Sequence, residues 1–401
     1  VGKRKSFVNY ILWRYLRFDR KHPFIYISFI LSFLGVMTGV ATLMIAMGIL
    51  NGMDGELRKK LQIMEYPITI YAPQGELNSH FLQKLETHFP NYKFSPYLET
   101  TAVVQSGGEL KGLILYGVDF KREKEINPIL KKGVEEWKQP IGLFDVVVGK
   151  KLFDWLGVQP GGKTIFIFSR LSPMGFSVEP LFKKVRIIGY FQSGLSSFDW
   201  GIGYMDIRGL KRILNQPYFD GIHIWTPNPF KDIEKIRKFL PKSFTALGWW
   251  QQNKNFFAAL KLEKTAIFLV LMLIVLVASL NIISSLLMMV MSRRKEIALM
   301  LSLGASPLQI RKIFLRMGIL IGIGGIVVGS LIGFGINWIL SHYQIVDIPK
   351  GVYGVDKLVV DLSWRDYLLI VGGTFLITLL SSLYPAYKAS KIDVLETLRY
   401  E

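Results

Sequence analysis

The sequence predicts a membrane α-helical protein, with four transmembrane helices and a large extracytoplasmic α+β domain of two lobes. Three observations carry that expectation. Four uncharged apolar runs are each long enough to cross a bilayer. Lys and Arg cluster beside two of them. A long stretch of mixed polarity, residues 51–264, separates the first run from the second.

The elements follow in chain order. Residues 1–23 form a basic segment, with seven Lys/Arg against one acid in 1–22. Phe7, Ile11, Tyr15 and Phe18 recur there at helical spacing, with Arg14 and Arg17 between them. That pattern predicts an amphipathic helix lying on the cytoplasmic surface. Pro23 then opens the first span, residues 24–50. A helix of this length reaches ~40 Å against the ~30 Å hydrocarbon core, so it is expected to tilt or protrude. Met44, Ile45, Met47, Ile49 and Leu50 close the run without a small-residue cleavage pattern, so it reads as a retained span. Residues 265–291, 317–340 and 367–387 give the other three spans. Gly325, Gly329 and Gly333 recur at four-residue spacing in the third, a helix-packing face.

Short-loop charge sets the orientation. The N-terminal segment and residues 292–316, with six basic residues against one acid, face the cytoplasm. Residues 341–366 carry three basic and four acidic residues and face out; the tail, 388–401, returns inside. Residues 51–264 lie outside although they hold 30 basic and 21 acidic residues, because long translocated domains largely escape the charge rule. Strands are predicted at 66–71, 100–105, 113–118, 164–168, 184–190 and 221–225. Helices are predicted at 79–88, 150–156, 208–214 and 231–239. Their interleaving favours α+β in two lobes, with a boundary near 126–140. Residues 51–62, with Asp54, Glu56, Arg58 and Lys59, continue the first span as a helix. Residues 256–264 lead directly into the second. Long helices of that kind are suited to carry rigid-body motion.

Several chemistries are excluded. The chain has no Cys, which rules out disulfides, thiolate nucleophiles and zinc-thiolate sites. Its five His (His22, His80, His88, His223 and His342) include no helical metal pair. The formal charge of +19 concentrates in juxtamembrane clusters, which suits anionic lipid better than nucleic acid. Residues 157–164, Gly-Val-Gln-Pro-Gly-Gly-Lys-Thr, match a phosphate-loop pattern. That motif needs a strand before it and a helix after, and here the order is reversed. A Gly-x-Ser-x-Gly elbow and a His-Glu-x-x-His motif are both missing. The spans hold no ionisable acid or base, which argues against a proton or ion relay. No catalytic residue, metal ligand or directly bound cofactor is predicted.

Residues 292–316 carry the sharpest local signal. A short helix at 295–303 is expected to end at Gly304. Ser306 then caps a second helix with Pro307 at its first position. The outcome is a compact cytoplasmic elbow, a docking element for a partner, built from Arg293, Arg294, Lys295, Glu296, Leu303, Gly304, Ala305, Ser306 and Pro307.

Arg294-Lys295-Glu296-Ile297-Ala298 followed by Leu303-Gly304-Ala305-Ser306 resembles the coupling-helix signature of ABC-transporter permeases of the MacB/FtsX type. Tyr384-Pro385-Ala386-Tyr387-Lys388-Ala389 with Leu398-Arg399-Tyr400-Glu401 is similar to the same family's C-terminal signature. Within it, three features resemble the LolC/LolE lipoprotein-releasing (LolF-like) branch. These are Asn51-Gly52-Met53-Asp54-Gly55-Glu56-Leu57, Leu262-Glu263-Lys264 with Asn281-Ile282-Ile283-Ser284-Ser285-Leu286, and Leu171-Ser172-Pro173-Met174-Gly175. The resemblance implies an inner-membrane permease whose external domain is a porter lobe plus an inserted lobe. It implies a hook near 169–179, formed by Ser169, Arg170, Leu171, Ser172, Pro173, Met174, Gly175 and Phe176, that engages a LolA-like periplasmic chaperone. Lys183, Lys184 and Arg186 flank that hook.

It further implies a LolD-like ATPase dimer at the elbow, using ATP and Mg, and a second permease copy or paralogue. Lipoprotein substrates would occupy a cavity walled by spans one and two. Its candidates are Met44, Met47, Leu50, Met53, Ile267, Phe268 and Leu271, since Met adapts to irregular apolar shapes. Two alternatives stay open: an FtsX-like mechanotransmission scaffold that regulates a periplasmic partner, and a MacB-like efflux permease. So does the choice between a homodimer and a heterodimer of permeases.

Overall fold

A computed structural model contains four helices long and apolar enough to cross a membrane. It describes residues 2–16, 23–171, 178–343 and 358–399. In chain order the elements are α1 (Gly2–Leu16), α2 (Pro23–Met64), β1 (Ile68–Tyr71), α3 (Ser79–His88), β2 (Lys93–Ser106), β3 (Glu109–Val118), α4 (Phe120–Ile126) and α5 (Pro128–Glu135). Then come β4 (Asp145–Gly149), α6 (Lys150–Leu156), β5 (Gly162–Leu171), β6 (Val178–Phe191), α7 (Ser196–Gly201), β7 (Ile202–Asp206), α8 (Ile207–Leu214) and β8 (Gly221–Trp225). The chain ends with α9 (Pro229–Phe239), β9 (Thr245–Gly248), α10 (Trp249–Gln252), α11 (Lys254–Ser292), α12 (Arg294–Ser302), α13 (Pro307–His342), α14 (Trp364–Ser390) and α15 (Val394–Arg399). Two compact units result. Among the described residues, the membrane unit takes in 2–16, 23–53, 259–343 and 358–399, and the sheet unit takes in 54–171 and 178–258.

In the membrane unit, α13 has two glycine-lined faces. A Cβ on Gly325, Gly329 or Gly333 would lie 2.9 Å from Val36 Cβ, 2.5 Å from the Met37 carbonyl or 2.9 Å from Met44 Cβ, all on α2. On the other face, a Cβ on Gly318 or Gly322 would lie 2.0 Å from Ser382 Oγ or 2.7 Å from Thr378 Oγ1, both on α14. Small residues let backbones approach this closely, and approach brings dispersion contacts that lipid does not match. Around these contacts Val36, Val40, Leu43, Phe314, Met317 and Ile370 are fully buried. Serines answer one another across the bundle. Ser32 meets Ser285 at 3.2 Å, and Ser381 donates to Ser279 at 2.9 Å, so each hydroxyl is satisfied away from water.

Helix α1 differs from expectation. Its apolar stripe, Val8, Ile11, Leu12 and Tyr15, is buried in the bundle core against α13 and does not lie on lipid. Arg316 Nη1 donates to Asn9 Oδ1 at 2.7 Å along the same seam. The face left exposed carries Tyr10 and Trp13, ring types that favour a membrane–water interface. Arg17 and Phe18 lie outside the described residues.

The sheet unit is one nine-stranded sheet, in the order β3-β7-β4-β6-β5-β2-β8-β1-β9. Because β2 also pairs with β3, strands β3, β7, β4, β6, β5 and β2 close into a ring. Strand β2 serves two lobes. Lys93–Tyr97 pair with β8, and Tyr97–Ser106 pair with β3. The first lobe packs α3 and α9 over β1, β8 and β9, with Ile68, Ile70, Ile222, Ile224 and Ile236 inside. The second encloses Ala102, Val104, Phe166, Phe168, Val185 and Ile187. The changeover therefore falls within β2. Residues 126–140 are no boundary: Asn127 Oδ1 accepts from Ile129 and Leu130, and so caps α5, which packs on β6.

Where the lobes meet, Glu123 of α4 is completely buried. One carboxylate oxygen accepts from the Tyr66 hydroxyl and the other from Ser95 Oγ at 2.6 Å. The Tyr204 hydroxyl lies 3.3 Å from that of Tyr66. His223 is stacked between Tyr66 and Tyr97, with centroids at 3.5 and 4.0 Å, and burial holds it neutral. Burial pushes the Glu123 carboxyl up from 4.5 to about 7, against the lowering effect of its bonds from Ser95 and Tyr66. A raised acid favours the fold most below its unfolded value, and that contribution is lost as pH rises through the folded one. Full-chain unfolding followed from pH 4.5 to 8 should show stability falling toward pH 7. Glu123→Gln should flatten that slope; an unchanged slope would assign it to other groups.

Candidate functional site

The elbow is built by capping chemistry. Helix α12 stops at Leu303, and Gly304 turns the chain at φ +93°, a left-handed conformation open to glycine. The Ser306 N–H donates to Gln309 Oε1 at 2.7 Å, and Pro307 starts α13. Ile297 and Ala298 are buried in the bundle, and Ala305 packs against it.

The charged candidates mostly answer within the chain. Arg293 bonds Glu296 at 2.5 Å and lies over the Tyr15 ring, and Arg294 pairs with Glu396 of α15 at 3.4 Å. Lys295, Gly304, Ser306 and Pro307 are exposed. What the elbow chiefly presents is leucine: Leu303 at 80 % exposure, with Leu299 and Leu308 also open. Sequence reading missed Leu299 and Leu308. The four-residue step from Leu299 to Leu303 along one helix face was the available signal.

The hook candidates sit at the end of an antiparallel hairpin. Strands β5 and β6 pair from Gly162↔Ile187 to Leu171↔Val178, with Ser169 opposite Pro180 and Arg170 opposite Glu179. Ser172, Pro173, Met174, Gly175 and Phe176 lie outside the described residues. The basic flank is partly committed. Arg186 grips Asp145 through two bonds at 2.7 and 2.6 Å, and the Lys183 ammonium rests 4.0 Å from the Phe144 ring centroid. Lys184 is exposed.

The seven cavity candidates divide. Met44 and Met47 are sealed in the helix core, Met44 against Gly333, so they pack the bundle and line no opening in this chain. Leu50, Met53, Ile267, Phe268 and Leu271 are half-buried, and Leu50, Phe268 and Leu271 border the core. The phosphate-loop look-alike is a helix–turn–strand: α6 ends, Gly157 caps it at φ +64°, and β5 begins at Gly162. Among the described residues no group of three His, Asp or Glu could hold a metal.

One constellation escaped sequence reading. Asp366, in the first turn of α14, accepts from Asn51 Nδ2 of α2 at 2.7 Å and from Lys264 Nζ of α11 at 2.9 Å. The segment before α14, residues 358–363, lies across α2 at Gly48 and Gly52, well inside that helix. The Asp361 N–H donates to the Gly48 carbonyl at 2.9 Å, and a Cβ on Gly52 would fall 1.9 Å from the Val359 carbonyl. Gly52→Ala should therefore destabilise the purified chain by about 1–3 kcal/mol, read as a lowered melting temperature. Gly55→Ala, whose Cβ would meet nothing within 4 Å, should leave it unchanged or raise it. Equal effects of the two would remove the steric account.

Residues 268–394 match the family described as FtsX-like permease C-terminal. The chain is 29 % identical to the lipoprotein-releasing system transmembrane protein LolC of Haemophilus influenzae over 98 % of both chains. It is 27 % identical to LolC of Xylella fastidiosa over 97 % of both. It is also 26 % identical to LolE of Haemophilus influenzae, over 97 % of this chain and 98 % of that one. Among solved structures, the extracellular domain of the noncanonical ABC-type transporter YknZ from Gram-positive bacteria gives a TM-score of 0.32 at 10 % identity, covering 45 % of this chain and 99 % of that one.

Proposed function

We propose that this chain, which belongs to the LolC/LolE-type ABC permeases, is the membrane subunit of a complex that draws lipoproteins from the outer leaflet of the inner membrane and passes them to a periplasmic chaperone. Collinearity carries the reading. Likeness to lipoprotein-releasing permeases extends over 97–98 % of both chains and so takes in the spans and the sheet unit alike. ATP hydrolysis belongs to a separate LolD-like ATPase dimer, which uses ATP and Mg. A second permease copy or paralogue completes the membrane part.

The basic N-terminal segment, elbow and tail lie on the cytoplasmic side, and the sheet unit lies in the periplasm. The ATPase seats on the elbow leucines. Its closure pushes α12, whose Ile297 and Ala298 bear on the bundle. The acyl chains of the cargo run against Leu50, Met53, Ile267, Phe268 and Leu271, with Met44 and Met47 set aside as core. The β5–β6 hairpin, with Ser169, Arg170 and Leu171 at its end and Ser172 to Phe176 beyond, offers the chaperone hook.

Reconstitution into vesicles with the ATPase subunit, an acylated lipoprotein and the soluble chaperone should give ATP-dependent transfer of cargo. ATP turnover that never moves cargo would instead favour a scaffold that signals to a periplasmic partner. For the elbow, Leu303→Asp should weaken capture of the ATPase about tenfold or more while the chain still folds, because exposed apolar anchors dominate such interfaces. Undiminished capture would place the dock elsewhere.

A further inference from the structure

We propose that the joint between α2 and β1 is proton-sensitive: Tyr66 is its pivot, and Glu123 locks it for as long as the carboxyl keeps its proton. Helix α2 ends at Met64, and β1 begins at Ile68. Tyr66 turns the chain between them at φ +59°, with Pro67 directly after it. The one other non-glycine at positive φ among the described residues is Asn215, which caps α8. Asn visits that region readily, whereas a bulky ring there is an outlier. A residue before proline is further biased toward extended backbone. Tyr66 is therefore strained, and such a residue persists only where its surroundings over-determine it.

The side chain supplies that hold. The Tyr66 ring is buried against His223, and its hydroxyl donates to Glu123. Asn127 Nδ2 lies 3.4 Å from the same hydroxyl oxygen. Among the described residues no cation pairs with Glu123. On its own helix Asp119 raises it further, and from β2 it receives the Ser95 hydroxyl. Strand β7 brings Tyr204, whose hydroxyl meets that of Tyr66. Strand β8 brings His223, held neutral by burial and with no partner on Nδ1. Arg122, next in the chain, is paired with Glu86. Burial raises Tyr66 and Tyr204 as well, so Glu123 ionises before either. A carboxylate formed there has hydroxyls but no counter-charge, and water solvates it better. Releasing Tyr66 admits that water and lets its backbone relax to negative φ. Strain and buried charge coincide at this joint, so ionisation loosens it first and leaves the β5–β6 ladder closed. One more carboxyl sits nearby: Glu65 accepts from Asn253 Nδ2, and burial raises it against that bond.

Hydrogen–deuterium exchange of the full chain in nanodiscs, at pH 6 and pH 8 and corrected for intrinsic rates, reads the joint directly. Peptides covering Met64–Tyr71 should exchange about tenfold faster at pH 8, the change that one carboxyl near 7 allows when it titrates normally on exposure. Peptides from β5 and β6 should not change. Glu123→Gln, neutral at both pH values, should abolish the gain, and Glu65→Gln should leave it. Tyr66→Phe keeps the ring on His223 but loses the hydroxyl, so its joint should exchange fast already at pH 6. A gain that survives Glu123→Gln overturns the proposal. So does a gain shared equally by β5 and β6, which marks global unfolding, and so does a Tyr66→Phe joint as protected as the parent at pH 6. Should Glu123→Gln not fold, the parent and Tyr66→Phe decide alone. These measurements need neither ATPase nor cargo, so they stand or fall apart from the transport function.

Discussion

The membrane unit depends on how closely three helix backbones approach. Lipid tails are as apolar as leucine, so the hydrophobic effect gives helices no reason to prefer one another in a bilayer. Helix α13 supplies the reason by giving up side chains. Gly325, Gly329 and Gly333 admit α2, and Gly318 and Gly322 admit α14. Each missing Cβ becomes close contact, and α2 and α14 then stand where Ser32 and Ser381 reach Ser285 and Ser279 of α11. The elbow precedes α13 directly, so its position is inherited from the same packing.

The sheet unit solves a different problem. Its two lobes share β2, and the place where that strand changes partners is filled with polar side chains. Glu123, Tyr66, Ser95, Tyr204 and Asn127 satisfy one another there with little help from solvent. A network of this kind fixes one arrangement of the lobes, because a shifted strand would leave a buried carboxyl without donors. Specificity is gained and stability at neutral pH is given up.

Much of this was legible in the sequence. The spans announce themselves as long uncharged runs. Gly304, Ser306 and Pro307 spell out the elbow because capping is local chemistry. Helices α3 and α6 fall where their patterns place them. Strand β4 was not legible: Asp145–Gly149 is buried on both faces and shows no alternation. Nor was the difference between Met44 and Leu50, since hydropathy does not say which side of a span meets protein. Asp366 pairs with residues 315 and 102 positions away, and nothing local marks them as partners.

Helix α1 has a practical bearing. Its inner stripe is packed on α13, and Asn9 is tied to Arg316, a few turns from the elbow. Arg293 reaches the ring of Tyr15 from the elbow itself. A purification tag or fluorescent fusion set just ahead of α1 would hang its load on a helix tied to the elbow and to α13. Reporters for this molecule are better carried on exposed turns of the sheet unit, such as Gly107–Gly108, where added atoms meet open space.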